Sequence, residues 1–171
     1  MIILICVATH TGKTLLAQKI LEKYKFTYLS IDHLKMGFIR SKKVKFNVQD
    51  DDKIESYLWP ILVEIIKTNI ENKQNLVIEG CYIPFDWKDS FNNEYIHNIK
   101  YICLIMSKNY IVNNFKNIVK FESVIENRKY KEDIDIQELI KENKYNLDMC
   151  KKYNNEYILI DDEYNIDNYK V

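Results

Sequence analysis

The chain has 171 residues, 47% hydrophobic and 29% charged, and its 25 basic and 25 acidic side chains cancel. That length suits one domain with a real core, and the balanced charge argues against nucleic acid held by a broad positive field. No apolar run approaches the roughly 20 residues of a membrane span. Residues 1–7 are too short, and lack the basic lead-in, for a secretory leader, so a cytoplasmic protein is expected.

Apolar runs alternate with amphipathic stretches along the whole chain. Residues 1–7 (MIILICV) read as a buried strand. Residues 13–24 then place Leu15, Leu16, Ile20 and Leu21 at helical spacing. A second strand is expected over 26–31 and a short helix over 33–40, followed by a Lys-rich loop. Asp50–Asp52 suit the start of a long helix reaching about residue 72, which Pro60 should kink or split. Residues 75–79 (NLVIE) form a third strand, and 80–95 a loop region with Pro84 and several aromatics. A fourth strand over 100–106 and a helix over 109–119 follow. Residues 122–135 are charged and weakly patterned, and read as a mobile segment. A helix over 136–153 puts Leu139, Ile140, Leu147 and Cys150 on one face, and 157–161 (YILID) close the pattern as a fifth strand. No repeat or linker interrupts it.

Strands alternating with helices imply right-handed βαβ units and a parallel sheet covered on both faces. Ligands on such sheets bind beyond the carboxyl ends of the strands. Polar residues just after a strand are therefore site candidates. Four scattered cysteines show no metal or redox spacing. Cys6 and Cys103, within apolar runs, read as small buried hydrophobes.

The strongest local signal is Thr9-His10-Thr11-Gly12-Lys13-Thr14, between the first strand and the first helix. A phosphate-binding loop has Gly, four residues, then Gly-Lys-Ser/Thr. Backbone N–H groups and the helix N-terminus cradle phosphates there. Lys13 would reach the β/γ-phosphates, Thr14 would bind Mg²⁺, and Gly12 would let the backbone pass close to phosphate oxygens. His10 either bonds phosphate or is a surface histidine. One departure is plain: the first glycine of the pattern falls at Val7, where a β-branched residue narrows the backbone.

With that motif the chain resembles the P-loop kinases of the adenylate-kinase superfamily. It is most similar to small 2-phosphoglycerate-kinase-like and adenylate-kinase-like proteins, and more distantly to shikimate kinase, chloramphenicol phosphotransferase and zeta toxin. The resemblance implies a three-layer α/β P-loop NTPase fold with a five-stranded parallel sheet flanked by helices. It implies one domain over 1–171, a lid near 120–135, and a phosphotransferase using ATP or GTP with Mg²⁺ on a small-molecule hydroxyl or phosphate. Asp32, after the second strand, corresponds to the acidic residue that faces the acceptor hydroxyl. It would serve as base or hydrogen-bond acceptor, from a strand expected beside the P-loop strand; a helix cap is its other reading. Arg40 lies where related kinases keep acceptor-binding basic groups. Arg128, the only other arginine, falls in the lid and would stabilise charge on the transferred group.

Glu79, at the end of the third strand, suits a magnesium-bound water, an oriented substrate or a pairing with Lys13. Gly80 would let the chain turn tightly over a ligand. Tyr82, Phe85 and Trp87 would wall an acceptor pocket or simply pack beneath a loop. Asp161 and Asp162 border the nucleotide base or cap a loop. Two rival readings stand beside the kinase. One is a regulatory nucleotide-binding module with a degenerate loop, favoured by Val7. The other is a nucleic-acid end kinase, for which residues 41–45 (SKKVK) offer a local basic patch and against which the zero net charge weighs.

Overall fold

The computed structural model describes residues 1–7, 11–121 and 135–164. Five strands form one all-parallel sheet in the order β2-β3-β1-β4-β5. They are β1 (Ile2–Val7), β2 (Thr27–Ser30), β3 (Leu76–Gly80), β4 (Ile99–Met106) and β5 (Tyr157–Ile160). The helices are α1 (Lys13–Tyr24), α2 (Ile31–Arg40), α3 (Asp51–Glu71), the short α4 (Asn93–Ile96), α5 (Lys108–Phe121) and α6 (Ile136–Lys152). A 3-10 turn at Trp87–Ser90 occupies part of the aromatic loop after β3.

The period-2 pleat explains how an unbroken apolar strand is buried twice. Ile2, Leu4 and Cys6 of β1 pack on one face with Ile54, Leu58, Leu62 and Ile66 of α3. Those α3 residues recur every fourth position and so form one stripe. Ile3 and Ile5 pack on the other face with Leu16, Ala17 and Ile20 of α1. A third cluster joins Met106 and Ile160 to Tyr110, Ile111, Ile118 and Leu139 of α5 and α6.

Two expectations are corrected. Pro60 does not split α3, which runs unbroken from Asp51 to Glu71. Proline removes the amide that would bond the Ser56 carbonyl, but Pro60 and Ser56 are both exposed, so water can take that role. The flanking Leu58, Trp59, Leu62 and Val63 are buried and hold the helix on the sheet. Secondly, β2 is not the neighbour of the P-loop strand, because β3 lies between them. The chain moves outward from β1 to β2, returns through β3, and crosses β1 to β4. That reversal at β1 makes a crevice at its carboxyl end.

Candidate active site

The crevice is built from three element ends. Val7 is still strand and pairs with Leu104 of β4. It has no positive φ, so this extended position does not require a glycine. Gly12 does: its φ is +86°, and a side chain there would overlap the Tyr164 hydroxyl. Gly12 holds the cap position of α1 and has no side chain with which to bond the first-turn amides. Those donors, with the positive end of the helix dipole, form an anion cradle. Thr11, Gly12, Lys13 and Thr14 are brought together at this point; Thr9 and His10 lie outside the described residues.

Lys13 opens α1 and is 5% exposed. A buried ammonium is costly unless an opposite charge faces it. Asp32, the second residue of α2, supplies one at 3.8 Å from its Nζ. Asp32 does not cap its helix: Ser30 holds the cap position and no side-chain bond is made there. Its other oxygen lies 3.2 Å from Lys35 Nζ, one turn along α2. Lys35 donates to the Tyr82 hydroxyl at 3.0 Å, and Tyr82 donates to Asp51 Oδ1 at 2.7 Å. The charges therefore alternate from Lys13 through Asp32 and Lys35 to Asp51, across α1, α2, the loop after β3 and the start of α3. Burial first, and then the bond to Asp51, push the Tyr82 hydroxyl well above the ordinary phenol range, so it remains a neutral donor. The partly buried Cys81 thiol is pushed up to about 12 by burial, opposed by the Lys13 charge; it is not a thiolate nucleophile at neutral pH.

Glu79 is fully buried on β3 and shares its face with Val77, which packs against the α1 side. Thr14 is half-buried in the first turn of α1. These two supply the oxygen donors suited to a hard divalent cation. Gly80 serves close packing: a Cβ there would lie 2.7 Å from Ile31 Cβ. Arg40 is exposed at the last position of α2 and is not brought into the cluster. Arg128 and most of the expected lid lie outside the described residues. Asp161 and Asp162 are exposed after β5.

Lys35, Asp51 and Tyr164 carry no motif and were not signalled as site residues. Lys35 had one available signal, its i, i+3 spacing from Asp32. Tyr164 had none. It follows β5, and its hydroxyl donates to the Thr11 carbonyl at 3.0 Å, tying the chain after β5 to the loop before α1.

No protein-family profile matches the chain, and neither does any curated protein. Solved structures do. A gluconokinase from Sinorhizobium meliloti 1021 is similar over 96% of this chain and 84% of its own, with a TM-score of 0.53 and 11% identity. A shikimate kinase from Bacteroides thetaiotaomicron is similar over 98% of this chain and 92% of its own, with a TM-score of 0.55 and 14% identity. A sugar kinase from Janibacter sp. HTCC2649 is similar over 94% and 84%, with a TM-score of 0.55 and 10% identity. The fold is that of the P-loop kinases. β1 lies at the centre of the parallel order, and Gly12-Lys13-Thr14 make the turn into α1. Among the described residues no helix is long and apolar enough to cross a membrane.

Proposed function

We propose that this chain, as a single domain, moves the γ-phosphoryl group of a nucleoside triphosphate onto a hydroxyl or phosphate of a small-molecule acceptor. The carrying observation is the buried Lys13 held 3.8 Å from Asp32 at the start of α1, where Gly12 turns into the helix. Phosphoryl transfer needs positioning and charge neutralisation more than covalent chemistry. The α1 amides with Thr11 and Gly12 hold the phosphate chain, and Lys13 exchanges its contact with Asp32 for β/γ-oxygens. Asp32 then orients, or takes the proton of, the acceptor hydroxyl. Thr14 and Glu79 would hold Mg²⁺ directly or through water, supplying charge neutralisation at the phosphates. Thr9, His10 and Arg128 complete the expected set as two loop residues and a lid cation; Arg40, Gly80 and Tyr82 belong to the acceptor side. The adenylate-kinase-like group, a cytoplasmic setting and the use of ATP or GTP are part of this reading.

Calorimetry with ATP and Mg²⁺ tests it. Wild-type protein should bind, and Lys13→Ala should lose at least about tenfold in affinity, the effect of removing a charged contact of about 1.4 kcal/mol or more. Unchanged affinity in the variant would sink the assignment. The rival reading, a regulatory module with a degenerate loop, rests on Val7. It predicts nucleotide binding with no turnover stimulated by any acceptor.

A further inference from the structure

Between α6, the start of α3 and the loop after β3 lies a cavity of about 360 Å³, within the size range of small-molecule sites. Cys6 and Cys81 are among its lining residues. Cys6 immediately precedes the last residue of β1, and Cys81 immediately follows β3. The cavity thus lies beside the carboxyl ends of β1 and β3. Cys81 is near enough to Lys13 and Asp32 to feel both charges.

Two independent observations indicate what it would hold. The first is Asn146 of α6, which lines the cavity and is only 7% exposed. Its side-chain amide makes no hydrogen bond to a described side chain or backbone group, whereas that of Asn143 one turn earlier accepts from Met106 N and donates to Leu139 O, both at 2.8 Å. A buried amide is normally satisfied, so Asn146 presents a donor and an acceptor to whatever enters. The second is charge. Glu55 and Asp86 line the cavity near enough to repel one another. Tyr145 and Phe85, in an edge-to-face pair at 6.0 Å, form an aromatic wall.

Carboxylates beside aromatic rings favour a cation, by Coulomb attraction and by contact with the ring faces. We infer that the acceptor is a hydroxyl compound carrying an ammonium group, such as an amino alcohol or amino sugar. The ammonium lies among Glu55, Asp86 and the rings, and Asn146 bonds a hydroxyl. A second hydroxyl points over Cys81 toward Asp32 and Lys13. In the transfer, that hydroxyl oxygen bonds to the γ-phosphorus while the bond from phosphorus to the β–γ bridging oxygen breaks. The nucleoside diphosphate leaves with the electron pair, and the hydroxyl proton passes to Asp32 or through it to water. This inference rests on the kinase reading for the reaction but not for the binding.

The test uses three matched acceptors, glucosamine, glucose and gluconate, with ATP and Mg²⁺. Diphosphate release is measured alongside calorimetric binding of each compound. Glucosamine should bind and stimulate release at least about tenfold over glucose and gluconate, the effect of one ion pair of about 1.4 kcal/mol. Glu55→Gln combined with Asp86→Asn should erase that preference by raising KM for the amine, leaving ATP affinity unchanged. Asn146→Leu should weaken all three. Binding of the amine without turnover would keep the cavity assignment and defeat the kinase reading. Turnover preferring glucose or gluconate would keep the kinase reading and overturn the inference. Binding of none of the three, or a preference that survives the double variant, would also overturn it.

Discussion

Lys13 is an ammonium held inside the protein, and the way its charge is balanced organises the residues around it. Asp32 sits between Lys13 at 3.8 Å and Lys35 at 3.2 Å, so its carboxylate is shared by two cations and is nearer to Lys35. A phosphate chain could take over Lys13 without leaving Asp32 unbalanced, since Lys35 stays with it. Asp32→Asn should therefore keep nucleotide affinity within a few-fold, while taking one opposite charge from the buried Lys13 should cost about 1–3 kcal/mol of stability. Acceptor-dependent turnover should fall by roughly 10²-fold, the scale of a lost general base. Near-normal turnover in this variant, measured below its melting transition, would remove Asp32 from the chemistry. What singles out Lys13, Thr14 and Asp32 as candidates is legible in the sequence, because a fixed spacing and a strand end announce them. The partners that hold them are not. Lys35, Tyr82 and Asp51 meet only because α2, the loop after β3 and the start of α3 converge, and no local spacing encodes that meeting.

The elements themselves were largely legible, because their hydrophobic periods are strong: a continuous run in β1 and β4, and fourfold spacing in α3. What escaped was order and termination. The position of β3 between β2 and β1 follows from pairing between distant segments, such as Ile5 with Glu79 and Ser30 with Glu79. Val7 looked like a damaged glycine, yet the first position of the motif is here the last residue of a strand, where an extended backbone accepts valine. Helix ends show a further economy. With three glycines in the chain, the left-handed residues beyond helices are, among the described residues, Lys25, Lys42, Lys73 and Asn154. After α3, Lys73 has φ +55°, and the amide of Gln74 bonds the Asn69 carbonyl at 2.8 Å, a C-terminal lock that usually employs glycine. A side chain in that conformation costs about 1–2 kcal/mol, against about 0.5–1 kcal/mol of extra chain entropy for glycine. Lys73→Gly should therefore raise stability by up to about 1 kcal/mol, read as a higher denaturant midpoint with an unchanged slope. A lower midpoint would mean that the lysine side chain contributes more than its backbone strain.

At the scale of the molecule, zero net charge conceals an uneven layout. Lys13 and Lys35 stand at the phosphate end of the crevice, and Glu55, Asp86 and Glu142 line the cavity beside it. Glu55 and Asp86 repel one another in the empty protein, and a cationic ligand between them would relieve that repulsion. Glu55 reports this most directly. Burial first, then the charges of Asp86 and Asp52, raise its carboxyl above the ordinary 4.5. A raised acid is more readily protonated in the fold than in the unfolded chain, so its contribution to stability is fully present below the unfolded value. It is lost as pH rises through the folded value, leaving a penalty at neutral pH. Glu55→Gln should therefore raise the melting temperature near pH 7, modestly because the group is half-exposed. The gain should disappear near pH 4, where wild-type Glu55 is already largely protonated. Thermal melts of both proteins across that interval provide the measurement. A variant that melts lower at neutral pH would show that the Glu55 charge is already compensated in the empty cavity, and that no electrostatic penalty is held there for a ligand to relieve.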